Sequence, residues 1–227
     1  MSQDIEPIST VHATARSRWS STRRLLSAGI VAGPLFMTIW ALQAYTREGF
    51  DPSRHPISLL SLGDLGWVQV ASFTVTGALF VACAVGMRRA MRGEPAGTWG
   101  PRLVGALGAG LVVAGVFVTD AGAGYPAGAP TGAPEMTLVG VLHEVGFVMV
   151  MLSWTVACFV FRRRFTAMGQ RALARLSVVV VCAVLVLGGW PDPDSFAMRT
   201  VVATAVQLGY LAVLAAHLRA RLSADPT

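Results

Sequence analysis

Six ionisable residues stand apart from the rest of the sequence by type and position. Asp51, Arg54 and His55 fall within DPSRHPISLLSLG, a polar stretch between the first two long apolar runs. Asp120 follows the third run, and His143 and Glu144 lie a little way inside the fourth. An arginine can grip phosphate or carboxylate through paired N–H bonds, so Asp51, Arg54 and His55 form a candidate ligand or headgroup site. A carboxylate and an imidazole at the end of a membrane helix can exchange protons, so Asp120, His143 and Glu144 are the candidates for catalysis. Each group also has a plainer reading. Asp51 can cap its own turn, because Asp-Pro and His-Pro pairs are turn punctuators, and Arg54 can tie that loop to Asp120 or Glu144. His143 and Glu144 can be interfacial groups bonded to loop backbone or to Arg54. They sit roughly 7–9 Å below the start of their helix, at 1.5 Å per residue. At that depth ionisable groups face a bundle interior or a wet cavity.

What must position these residues is a set of apolar helices. Of the 227 residues 54% are hydrophobic and 13% charged. Mean hydropathy is +0.59. Apolar runs at about 25–45, 67–87, 101–118, 138–161, 176–190 and 200–218 approach or reach the ~20 residues a helix needs to cross a hydrocarbon core. The reading is an all-α integral membrane protein, a six-transmembrane-helix bundle over residues 23–219. Residues 1–22 read as a disordered cytoplasmic tail containing His12, and 220–227 as a second tail. The polar N-terminal segment is not a cleavable signal peptide in this reading, because the run after it is long enough to span.

Charge sets the orientation. All 18 basic residues are arginine, and 15 lie in the terminal segments and the second and fourth connections. Only Arg47, Arg54 and Arg199 belong to the first, third and fifth connections. The positive-inside rule then puts both termini in the cytoplasm and the six candidate residues at the outer face. Eight of the 12 acidic residues lie in or beside the outer connections.

Within the first connection, Pro56 suits the first turn of a short helix and Gly63 its end. Ile57, Leu59, Leu60 and Leu62 would give that helix an apolar side for lying on the membrane surface. The glycine- and proline-rich third connection, DAGAGYPAGAPTGAPEM, reads as extended or polyproline-like. Gly29 and Gly33 form a GxxxG pattern, and Ala106, Gly110 and Ala114 a small-residue stripe, both suited to close helix packing. Cys83, Cys158 and Cys182 lie inside apolar runs without metal or redox spacing. His217 reads as a residue of the inner end of the last helix.

No phosphate-binding loop, dinucleotide fingerprint, nucleophile elbow or HExxH pattern is present. No cofactor, metal or nucleic-acid partner is expected. The expected partners are the bilayer and a lipid or isoprenoid small molecule; the oligomeric state stays open.

The early RLLSAGIVAGPLF run, FDPSRHPISLLSLGDLGWVQ, VFVTDAGAGYPAGAP and LVGVLHEVG together resemble the DUF998 family of bacterial membrane proteins. The resemblance covers about residues 24–220 and implies a multi-pass protein of a bacterial plasma membrane, with no reaction attached. The family form carries a proline after the aspartate of the third span; here Ala121 stands in that place. Two functional classes remain open. One is a protein that binds or transports a small or lipid-like ligand through the outer polar site. The other is a membrane-embedded enzyme, cyclase- or hydrolase-like, using the outer carboxylates and histidine on a lipid or isoprenoid.

Overall fold

The computed structural model describes residues 8–132 and 134–224, with side chains placed for 19–132 and 134–223. Six helices carry the fold: α1 Ile8–Thr46, α2 Gly66–Ala90, α3 Trp99–Val116, α4 Leu138–Ala167, α5 Arg171–Gly189 and α6 Phe196–Ala224. Each contains a segment long and apolar enough to cross a membrane. In hydrocarbon every backbone N–H and C=O must find its partner within the segment, and the helix is the form that achieves this for a single run. Arg88 and Arg89 in the last turn of α2, Arg164 in that of α4 and Arg221 in that of α6 complement the helix dipoles there.

Consecutive helices pack side by side, and α6 closes the ring against α1. Small residues let the backbones approach. A Cβ at Gly29 would collide with Cys83 of α2 and crowd Ala215 of α6, and one at Gly33 would crowd Leu208 of α6. The GxxxG pattern therefore serves packing inside the chain. The stripe on α3 works the same way against α4, where Gly110 and Ala114 face Gly146. Large side chains fill the centre: Phe36, Phe80, Trp154, Phe161, Phe165 and Leu211 are all 2% exposed or less.

The first, third and fifth connections gather at one end, here termed the loop face. The termini and the second and fourth connections form the opposite, termini face. There Glu94 binds Arg164 of α4 and lies 3.3 Å from Arg221 of α6, while Arg164 also donates to Pro95 O at 2.6 Å. Three elements are thus held by one carboxylate.

Four expectations need correction. The N-terminal segment is helical from Ile8, because α1 continues well beyond its apolar window; residues 1–7 of the expected tail lie outside the described residues. Likewise α6 runs on to Ala224, through most of the second tail. The short helix forms as a 3₁₀ turn over Ile57–Ser61, but its apolar side does not lie on a membrane surface. Ile57, Leu59 and Leu60 are buried into the top of the bundle, which offers them a dry floor without the cost of lipid headgroups. The third connection is folded back on itself rather than extended: Ala123 N donates to Gly132 O (3.1 Å) and Gly124 N to Pro130 O (2.8 Å). Gly124 and Gly128 permit the reversals by adopting φ of +81° and +89°.

Candidate functional site

The loop face is pinned together by three knots, and two of them use residues singled out from the sequence. In the first connection, the Asp51 carboxylate accepts from the Ser53 N–H (2.9 Å) and hydroxyl (2.6 Å), closing an Asx turn. Those bonds, helped by His55 and Arg54, hold the Asp51 carboxyl below its ordinary value. The backbone N–H of Asp51 donates to His55 Nδ1 at 2.9 Å, which leaves the ring proton on Nε2, 3.2 Å from the carbonyl oxygen of Ala123. The buried His55 ring packs against Phe50 and Tyr125, with centroids 5.4 and 5.3 Å away. This imidazole joins the first connection to the third, and both nitrogens are engaged in doing so.

The second knot joins α3 to α4. Asp120 accepts from the Thr137 N–H (2.8 Å) and hydroxyl (2.7 Å), and Thr137 Oγ1 in turn accepts from Gly140 N (3.1 Å) to cap α4. Any Cβ at Gly140 would collide with the Asp120 carboxylate. The third knot is Arg199 at the start of α6. It donates to the carbonyls of Leu187 (2.7 Å), Trp190 (2.9 Å) and Asp192, fixing the WPDPDS turn.

These knots frame a crevice of about 1000 Å³ that descends from the loop face between α4, α6 and the short helix. Its floor is apolar, with Phe36, Phe73, Leu111, Val150 and Leu208. Beyond the floor α4 and α6 meet, where Trp154 Nε1 donates to Gln207 O at 3.2 Å.

The six sequence candidates divide around this crevice. Arg54, Asp120, His143 and Glu144 line it. Asp51 and His55 are not on its wall; their side chains are committed to the loop itself. A metal centre made by His55, Asp120 and His143 has no geometric basis, and no cluster of three metal-binding side chains occurs among the described residues.

The members on the wall differ in how far they are already engaged. Asp120 is held by Thr137. Arg54 and Glu144 are exposed and make no hydrogen bond or ion pair within the described residues, so both charges remain available. His143 is 4% exposed, and its Nδ1 lies 2.9 Å from both Ala114 O and Phe117 O. Carbonyl oxygens only accept, so in the neutral ring Nδ1 carries the proton and Nε2 keeps a free lone pair. The last turn of α3 has thus set the tautomer. Arg199, Phe147 and Gln207 also line the crevice and were not anticipated. Arg199 was visible as an isolated basic residue in an otherwise acidic connection, but only the fold shows it bridging α5 and α6.

Six apolar helices, loops knotted at one end and a polar-rimmed crevice define a multi-pass membrane protein. The family model described as protein of unknown function (DUF998) matches residues 30–219, and the chain belongs to that family. Among the curated proteins and the solved structures, nothing matches the chain.

Proposed function

We propose that the protein binds, or carries, a small amphiphilic, lipid-like ligand in the crevice, with the loop face on the outer side of a bacterial plasma membrane. The observation that carries this reading is the pairing of an apolar floor with two unneutralised charges, Arg54 and Glu144, at the wall. Concave sites that are mostly apolar and hold a few convergent polar groups are the usual form of small-molecule sites. The apolar floor suits a hydrocarbon or isoprenoid body, and Arg54 suits an anionic head. Phe147 and Phe196 line the crevice while remaining 43% and 46% exposed, which supports entry of an apolar chain between α4 and α6. The arginine excess at the termini face supports the orientation.

Native mass spectrometry of the protein released from lipid nanodiscs tests the reading. A co-purified amphiphile is expected, and Arg54→Gln with Glu144→Gln should lower its occupancy about tenfold or more, since charged hydrogen bonds contribute about 1.5–3 kcal/mol each. Undiminished occupancy in the double variant would exclude this site.

One observation favours a second reading, a membrane enzyme acting on such a ligand. His143 presents a fixed tautomer with Nε2 unengaged, beside a free carboxylate one residue on, and a free imidazole nitrogen can take a proton. His143→Asn keeps an N–H donor for Ala114 O and Phe117 O but removes the base. If the protein is an enzyme, wild-type membranes convert an added lipid or isoprenoid extract into a new product and His143→Asn membranes do not. Identical product profiles would leave the binding reading alone standing.

A further inference from the structure

A groove between α1 and α6 lies at the termini face, the end of the bundle opposite the crevice. It has a volume of about 470 Å³ and is lined by Arg23 and Ile30 of α1 and by Ala216, Arg219, Ala220 and Ser223 of α6. Arg23 and Ile30 stand two helical turns apart, as do Ala216 and Ser223, so each set shares one helix face. At 1.5 Å per residue the groove runs about 10 Å along both helices. On the same stretch of α6, Leu214, Ala215 and Leu218 are buried, while Ala216, Arg219, Ala220 and Ser223 are exposed. The groove therefore opens outward, towards the bilayer.

The two helices run antiparallel, with Gly29 packed against Ala215 and Gly33 against Leu208. Continued towards the termini, that register brings Arg23 level with the turn of α6 that carries Arg219. Neither guanidinium makes a hydrogen bond or ion pair among the described residues. The nearby Arg221 is engaged by Glu94, and the Ser223 hydroxyl turns back to Arg219 O at 3.2 Å. No carboxylate lines the groove. Two cations thus border one concave surface without an anion. The deep end is apolar. Ile30 and the two alanines lie in segments apolar enough to cross a membrane, and the small side chains at 216 and 220 leave the channel open.

This arrangement selects its occupant by charge and by shape. Guanidinium is weakly hydrated and offers paired N–H donors that match phosphate oxygens. A zwitterionic head would bring an ammonium group beside two arginines, with no carboxylate to receive it. A free anion would leave the apolar end unoccupied. We infer that the groove is a binding site for an anionic phospholipid, with its phosphate between Arg23 and Arg219. One acyl chain then follows Ala220 and Ala216 to Ile30. Basic pockets between membrane helices are a recurrent form of phospholipid headgroup site. The groove shares no residue with the crevice, so it stands whether or not the crevice takes an amphiphile.

Photo-crosslinking of the intact protein in nanodiscs tests this, with phosphatidylglycerol carrying a diazirine in one acyl chain as the probe. The label should fall on the peptides containing Ile30 and Ala216. Excess unlabelled phosphatidylglycerol should compete it away, and phosphatidylethanolamine should not. Arg23→Gln with Arg219→Gln should reduce labelling there about tenfold, through the loss of two arginine contacts with an anionic lipid. Both side chains are exposed and unbonded, so this variant keeps its fold. Arg162→Gln with Arg163→Gln removes the same charge from exposed positions at the same face and should label as the wild type does. Equal loss in the two double variants would reduce the effect to general surface charge and overturn the inference. Equal competition by the two lipids, or no label at this groove, would overturn it as well.

Discussion

Asp120 shows how a residue chosen for its chemistry can carry architecture. Its two oxygens receive the N–H and hydroxyl of Thr137, while the Thr137 hydroxyl also receives Gly140 N. The three residues form one unit at the start of α4, where the helix dipole favours the carboxylate. Gly140→Ala forces a methyl group into that carboxylate, and Asp120→Ala removes the acceptor. Each should cost about 0.5–2 kcal/mol of stability, the range for a lost helix cap. Since both break the same knot, the double variant should cost much less than the two single costs together. Thermal or denaturant unfolding in detergent measures this, and additive losses would show the residues to be uncoupled. His143 differs in kind, because its fixed side is structural and its other nitrogen is unengaged.

Among the elements, the connections between helices carry the constraints. Arg47 donates to the carbonyls of Leu60 and Leu62 and so anchors the end of the short helix. Arg199 does the same for the turn before α6. At the termini face the anchor is Glu94, shared by Arg164 and Arg221. Burial alone would raise the Glu94 carboxyl, but the hydrogen bonds and charges of the two arginines outweigh it and hold the group below its ordinary 4.5. A carboxylate with a lowered folded-state pKa contributes stability that is complete above its unfolded value and disappears as pH falls through the folded one. The thermal midpoint should therefore fall more steeply for the wild type than for Glu94→Gln between about pH 5 and pH 3. Parallel curves would mean that the clamp adds nothing. The Glu94 side chain is 34% exposed, so solvent and salt reduce the effect.

For the whole molecule, the prediction concerns sidedness. In a Cys182→Ser background, a cysteine at Glu135 should react with a membrane-impermeant maleimide added to intact cells. One at Arg92 should react only after the membrane is opened. The reverse pattern would turn the protein over and put the crevice on the cytoplasmic side. With the expected pattern, the crevice opens outward at the loop face, above the buried Trp154, Phe161 and Phe165.

The number and approximate bounds of the spans follow from the sequence alone. A helix crossing hydrocarbon announces itself through a continuous apolar run, and no partner is needed to explain it. The close-packing roles of Gly29, Gly33 and Gly110 were equally legible, because small residues at four-residue spacing have few other uses. The loops were not. Asp51, Arg54 and His55 are near neighbours in sequence, yet two of them turn into the loop and one towards the crevice. Asp120 and Thr137 are separated by 17 residues and form one knot. Gln43 and Gln69 stand 26 positions apart, and their contact depends on the register of two helices. Hydrophobicity is a property of a segment and can be read along a chain. Which polar atoms find each other depends on backbone reversals and helix register, and only the tertiary structure decides those.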